Sequence, residues 1–148
     1  MSPIRWLDNL EEAAWVGFLR TQARLMTQLD RELREQHRLS LADYDVMATL
    51  SAQPEHRLRP TELADRVVIS PSTLTRRLDS MEQRGLVARR RCPEDARGVH
   101  VVLTEDGLRA LRQAAPSHVD GVRRHFIDKL SRSQMESLAR IGRDTLSR

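Results

Sequence analysis

Four hydroxyl side chains and two arginines crowd one short stretch, as Ser70, Ser72, Thr73, Thr75, Arg76 and Arg77. Hydroxyls donate to phosphate and suit either donor or acceptor base edges. A guanidinium fork grips a phosphate or the O6/N7 edge of guanine. That is the chemistry of holding a polyanion. A second set lies further along. Arg89, Arg90 and Arg91 run consecutively, and Asp95 and Arg97 follow between Pro93 and Gly98. In an extended segment Arg89 and Arg91 share one face, which is assigned here to phosphate contact. A solvated helix face and a charged strand edge that discourages pairing would carry the same residues, so the types alone do not decide.

Charge distribution sharpens the point. The 148 residues carry 25 bases against 21 acids, a formal net charge of +4, and every base except Lys129 is arginine. A GC-rich genome also favours arginine codons, so the ratio says less than the placement. Residues 1–40 balance six bases with six acids, and 41–70 hold three bases and five acids. Residues 71–100 hold seven bases and four acids, and 101–148 nine and six. An acidic stretch is therefore followed by a basic one, as expected for a local polyanion-binding face.

The elements that must position these residues are mostly helical. Leu7, Leu10, Ala14, Phe18, Leu25, Leu29 and Leu33 form one apolar stripe, which predicts a helix from about Asp8 to His37. A helix of that length, about 45 Å, exceeds what a small domain needs for itself and points to packing against a second chain. Ser40 is placed to cap a helix over Leu41–Ala52, which Pro54 ends. A short helix is expected over Thr61–Val67. Ser70 then caps another that starts with Pro71, buries Leu74, Leu78 and Met81, and stops at Gly85. Two helices joined by a few residues match helix-turn-helix spacing. Leu86–Arg91 and Val99–Leu103 read as strands of a hairpin, its tip at Cys92–Gly98. Thr104 caps a helix expected to kink at Pro116 and to resume through Val119, Val122, Phe126 and Leu130. Ser131 and Gln134 form a capping box for the last helix, whose apolar face is Met135, Leu138, Ile141 and Leu146.

Taken together, these pieces resemble the winged helix-turn-helix of the MarR family of bacterial transcriptional regulators. The resemblance is carried by Thr61–Ala64, Ser70–Arg76, Leu78–Val87, Asp95–Gly98 and Val102–Thr104, and the flanking helices extend it over nearly the whole chain. It implies a mostly α fold with a small β-hairpin wing and long N- and C-terminal dimerisation helices. Residues 1–148 would form one unit, with 41–104 the winged DNA-binding part and 1–40 and 105–148 the dimerisation part. It implies a homodimeric, sequence-specific binder of double-stranded DNA, a ligand-responsive repressor on a pseudo-palindromic operator. Ser72, Thr73, Thr75 and Arg76 would serve the major groove, with Ser70 capping their helix, Arg77 reaching either a phosphate or an acid of its own chain, and Arg89 and Arg91 on the backbone. Arg97 would enter the minor groove, held in position by Asp95. A narrow minor groove attracts arginine through its enhanced negative potential. The resemblance further implies a small aromatic or anionic effector, for which Trp15, Phe18, His37 and Tyr44 are the candidates; core packing is the competing reading for each. The alternative function is a winged-helix protein–protein interaction module without DNA binding, against which the wing arginines speak.

Other chemistries find little support. His37, His56, His100, His118 and His125 make no close metal-ligand pair, although His118 and His125 share a helix face seven residues apart, so no metal site and no cofactor are expected. Cys92 lacks a second thiol and reads as an incidental loop residue beside Arg91. No nucleophile–base set, phosphate-binding loop or dinucleotide turn is present, so the chain is not expected to be an enzyme. No stretch reaches the ~18 apolar residues of a membrane span, and Met1–Trp6 lacks the apolar core of a signal peptide, so no membrane partner and a cytoplasmic protein are expected.

Overall fold

The computed structural model describes residues 3–92, 94–95 and 98–147. Helix α1 runs Asn9–His37 and opens on a capping box: the Asp8 carboxylate accepts the Glu11 amide, and Glu11 returns the bond to the Asp8 amide. It closes at Arg38, whose left-handed φ of 55° turns the chain sharply into the next element. Ser40 and Asp43 repeat the capping box at α2, Leu41–Ser51. Helix α3 is Pro60–Arg66 and α4 is Pro71–Gln83; a proline occupies the start of both, where its missing N–H costs nothing. Gly85, at φ 74°, turns α4 into strand β2, Val87–Arg91. The turn is one that favours glycine.

Strand β3, Val99–Leu103, pairs antiparallel with β2 in the register Val87↔Leu103 to Arg91↔Val99. The free edge of β3 takes up a third strand, β1, formed by Arg57 and Leu58 opposite Val102 and Val101. Two residues are too few for a period-2 signal, so the sequence pattern gives no warning of β1. Helix α5, Glu105–His125, is capped by Thr104, and α6, Arg132–Leu146, by Ser131.

Helix α5 resumes after Pro116 through Val119 and Val122, but its expected extension through Phe126 and Leu130 is corrected. The helix continues through Pro116 and ends at Phe126, whose φ of −138° and ψ of −65° are not helical; a 3₁₀ turn, Ile127–Lys129, follows. Pro116 is on the exposed side of α5, where water can satisfy the carbonyl one turn back that the ring leaves without a donor.

One core joins the pieces. Leu33 and Leu39 of α1 and its turn, Val46, Met47 and Leu50 of α2, Leu63 of α3, Leu74, Leu78 and Met81 of α4, Val87 and Val101 of the sheet, and Leu111 and Ala114 of α5 are all buried. Full burial of such side chains stabilises by roughly 1.5–3 kcal/mol each. The two ends of the chain behave differently. Leu7, Leu10, Trp15 and Phe18 in and before the first half of α1 are exposed, as are Leu138, Ile141 and Leu146 of α6. Helix α6 buries no residue, and among the described residues it packs against no other element beyond isolated contacts.

Candidate nucleic-acid interface

The geometry of α3, the turn and α4 follows from three buried side chains. Leu74, Leu78 and Met81 pin one face of α4 to the core. The opposite face must then look outward, and it carries Ser72, Thr75 and Arg76, all exposed. Among the described residues Arg76 makes no ion pair. Ser70 serves as the N-cap. Its Oγ accepts the Thr73 amide at 3.3 Å, donates to Thr73 Oγ1 at 2.9 Å and lies 3.3 Å from Ser72 Oγ. Thr75 donates back to the Pro71 carbonyl at 3.2 Å. The first turn of α4 is thus a patch of hydroxyls around a helix N-terminus, where amide N–H groups and the helix dipole favour an anion.

Two arginines of the predicted set point elsewhere. Arg77 is half-buried and turns toward α2, its Nη1 3.9 Å from Asp43 Oδ1. Arg89 leaves the phosphate-facing role assigned to it and lies between two carboxylates of α4, with Nη2 2.8 Å from Asp79 Oδ1 and Nη1 on Glu82 Oε2. Burial works to lower its pKa, but the bonds to Glu82 and Asp79 outweigh it and hold the guanidinium more firmly charged than usual. The physical reason is strand alternation: the face of β2 that carries Arg89 is turned to α4. Arg89 consequently clamps β2 to α4, and Arg90 and Arg91 remain exposed.

The hairpin tip is closed by Cys92 N–H to the Gly98 carbonyl at 2.8 Å and by Gly98 N–H to the Asp95 carbonyl at 3.0 Å. Cys92 lies just past β2, outside the strands, and is buried. It is 5% exposed, and a Cβ at Gly98 would lie 3.2 Å from its own Cβ, so it packs beneath the tip. Arg97, the expected minor-groove residue, lies outside the described residues.

The effector candidates divide into two places. Trp15 and Phe18 stack on each other at 6.5 Å on the exposed half of α1. His37 lies about 33 Å further along the helix at 1.5 Å per residue. Its Nε2 is 2.6 Å from Ser117 Oγ of α5, and Tyr44 packs on the neighbouring His118 at 4.1 Å between ring centroids. One chain therefore does not bring the four together. Burial pushes the Tyr44 phenol up and the His118 imidazole down, and His118 Nδ1 has no hydrogen-bond partner among the described residues. The seam continues to Glu32, whose carboxylate meets His125 Nε2 at 2.6 Å and Arg124 at 3.4 Å. A hydrogen bond from Gln28 holds the Glu32 carboxyl below the usual range; burial opposes it, and His125 and Arg124 add to the lowering. The contacts of His118 and His125 are not legible in the sequence beyond their shared helix face.

Comparison with known proteins agrees with this architecture. The family model described as "MarR family" matches residues 39–99. The transcriptional repressor MprA of Escherichia coli is 30% identical over 127 residues, covering 86% of this chain and 71% of MprA. The HTH-type transcriptional regulator PecS of Dickeya dadantii is 31% identical over 107 residues, covering 70% of this chain; the match spans 64% of PecS, just under two-thirds of its length. Among solved structures, Sco3205, a MarR family transcriptional regulator from Streptomyces coelicolor in complex with DNA, superposes with a TM-score of 0.90 at 35% identity, covering 98% of this chain and 91% of that one.

Proposed function

The chain belongs to the MarR family, and on that premise we propose that it is a homodimeric, sequence-specific DNA-binding transcriptional regulator, a repressor released by a small aromatic or anionic effector. The observation that carries the reading is the outward face of α4. A rigid apolar underside leaves a capped helix N-terminus with Ser72, Thr75 and the unpaired Arg76 facing outward. Such a helix presents its first residues to base edges in the major groove. Residues 41–104 would carry these contacts, with Thr73, Ser70, Arg91 and the minor-groove arginine Arg97, positioned by Asp95, supporting the register.

Residues 1–40 and 105–148 would form the dimer. The exposed apolar ends of α1 and α6 support this, since a helix that buries nothing in its own chain gains stability by packing elsewhere. Two-fold symmetry then requires inverted half-sites about one helical turn, ~34–36 Å, apart. The His37, Tyr44 and His118 seam, between the dimer helices and the winged part, suits an aromatic anion, with the Trp15 and Phe18 pair contributing only if brought across from the second chain. An effector acts by binding one arrangement of the two reading helices better than the other. Among the described residues no helix is long and apolar enough to cross a membrane, and a cytoplasmic location fits a DNA-binding role.

Selection of bound duplexes from a random pool, repeated with aromatic acids present, tests the proposal. Enrichment of an inverted repeat that aromatic acids deplete is expected. Recovery of no enriched sequence would overturn the reading in favour of a protein-interaction module.

A further inference from the structure

Asp43 is the deepest charged side chain described, 1% exposed at the start of α2. Its Oδ2 accepts the Ser40 amide at 3.1 Å, which completes the cap of α2, and also Arg84 Nη1 at 2.9 Å. Its Oδ1 has no hydrogen-bond partner among the described residues, and the cation nearest to it is Arg77 at 3.9 Å. Arg77 and Arg84 are seven residues apart, so they project from one side of α4 and its C-cap. Arg84 does more than neutralise. Its Nη2 donates to the carbonyl of Arg38 at 2.7 Å, the residue whose left-handed conformation ends α1. One guanidinium thereby joins the end of α1, the start of α2 and the end of α4. Asp30 of α1 accepts the Leu41 amide at 2.8 Å and ties the same corner from the other side.

A capping acid needs none of this, since an exposed Asp would cap α2 equally well. A buried carboxylate bonded to the guanidinium at the C-cap of α4, with a second arginine of α4 at 3.9 Å, is costly to assemble and fixes direction, because a planar fork bonds only in its own plane. We propose that Asp43 is a positioning residue for DNA reading: through Arg84 and Arg77 it sets the angle at which α4 presents Ser72, Thr75 and Arg76, and it ties that angle to the C-terminal end of α1. Arg77 is then a strut and Arg76 a reader. The proposal rests on the DNA-binding reading above, and it adds a route by which any change at the α1–α2 corner reaches the groove.

The test uses the full chain with D43N and R84K. D43N keeps an acceptor for the Ser40 amide and removes the charge. R84K keeps a charge near Asp43 but loses the fork that also bonds Arg38. For each folded variant, affinity for the selected duplex and for a scrambled duplex is measured at several salt concentrations. The selected-to-scrambled ratio should fall about tenfold, the loss expected for a charge-assisted bond, with the salt slope unchanged. A role confined to folding would lower both affinities together and leave the ratio intact, which would overturn the proposal. A second readout needs no DNA: spin labels at E35C and T75C in a C92S background report the distance between α1 and α4. It should broaden in R84K, and in D43N if that variant folds. A distribution as narrow as in the unsubstituted chain overturns the proposal. Broadening without any duplex selectivity in the parent protein would instead refute the DNA-binding reading alone.

Discussion

Gly107, in the first turn of α5, meets the wing more closely than any side chain would permit. A Cβ built there falls 2.1 Å from the Leu86 carbonyl oxygen and 2.6 Å from Leu103 Cδ1. Leu103 can rotate away, but the Leu86 carbonyl is backbone and accepts the Thr104 amide at 3.2 Å and the Thr104 hydroxyl at 3.1 Å. Gly107→Ala must push that oxygen back by roughly 1 Å in an interior with few voids to absorb it. Overpacking of this kind costs about 1–3 kcal/mol, and weakening a Thr104 hydrogen bond adds about 1 kcal/mol. A total near 3 kcal/mol corresponds to a fall of about 6–12 °C in Tm for a chain of this size. Thermal and urea unfolding at one fixed protein concentration measure it, because a dimer's Tm depends on concentration. The backbone displaced is the turn between α4 and β2, so duplex affinity should fall as well. A Tm within 1 °C of the parent would refute the reasoning, since it would mean that α5 and the wing are not held at this distance.

Further outcomes follow from the same contacts. Arg76→Ala and Arg97→Ala should each weaken binding to the selected duplex by about 1–3 kcal/mol at fixed salt, whereas Arg77→Ala should lower the selected-to-scrambled ratio without lowering the salt slope; gel-shift or fluorescence titration distinguishes them. Ile141→Asp should convert the dimer to monomer at micromolar concentration in sedimentation, because it places a charge on the apolar stripe of α6; a persistent dimer would move the interface elsewhere. Acidification should destabilise the fold in two stages. His118 is held below its ordinary 6.5 by burial, so the unfolded chain binds the proton more tightly and stability is lost as pH falls through about that value. Asp30 and Glu32 are also lowered: burial raises Asp30, but Arg34, the Leu41 amide and Arg77 outweigh it, and Gln28, His125 and Arg124 lower Glu32. Their contribution is present at neutral pH and lost below the ordinary carboxylate range. His118→Phe keeps a ring against Tyr44 and should abolish the upper stage of a pH–stability profile, with Asp30 and Glu32 left to give the lower one.

Much of this was legible in the sequence because it depends on local rules. The cap at Ser40, the capping box at Ser131, prolines at helix starts, Gly85 after α4 and the i, i+4, i+7 spacing of Leu74, Leu78 and Met81 each act within a turn or two. What escaped depends on partners far along the chain. Arg89 reads as one of three like charges until α4 brings Asp79 and Glu82 to it. Asp43 carries no signal in the sequence, because its partner Arg84 is 41 residues away. The strand at Arg57–Leu58 exists only because β3 offers an edge. The stop of α5 at Phe126, short of the expected Leu130, has no local signal either. For the reading residues, the types pointed to polyanion chemistry, and for Arg77, where a phosphate and an acid of its own chain were both open, the fold turns the side chain toward Asp43 while Arg76 faces out.

The proposed regulator binds duplex DNA as a symmetric dimer through an outward, basic face. Its most direct test is the salt dependence and stoichiometry of binding to the selected inverted repeat. Two chains per duplex are expected, with a plot of log affinity against log salt falling steeply, slope near −0.9 for each phosphate neutralised, and a scrambled duplex bound far more weakly at the same salt. A flat plot, or equal affinity for selected and scrambled duplexes, would contradict it.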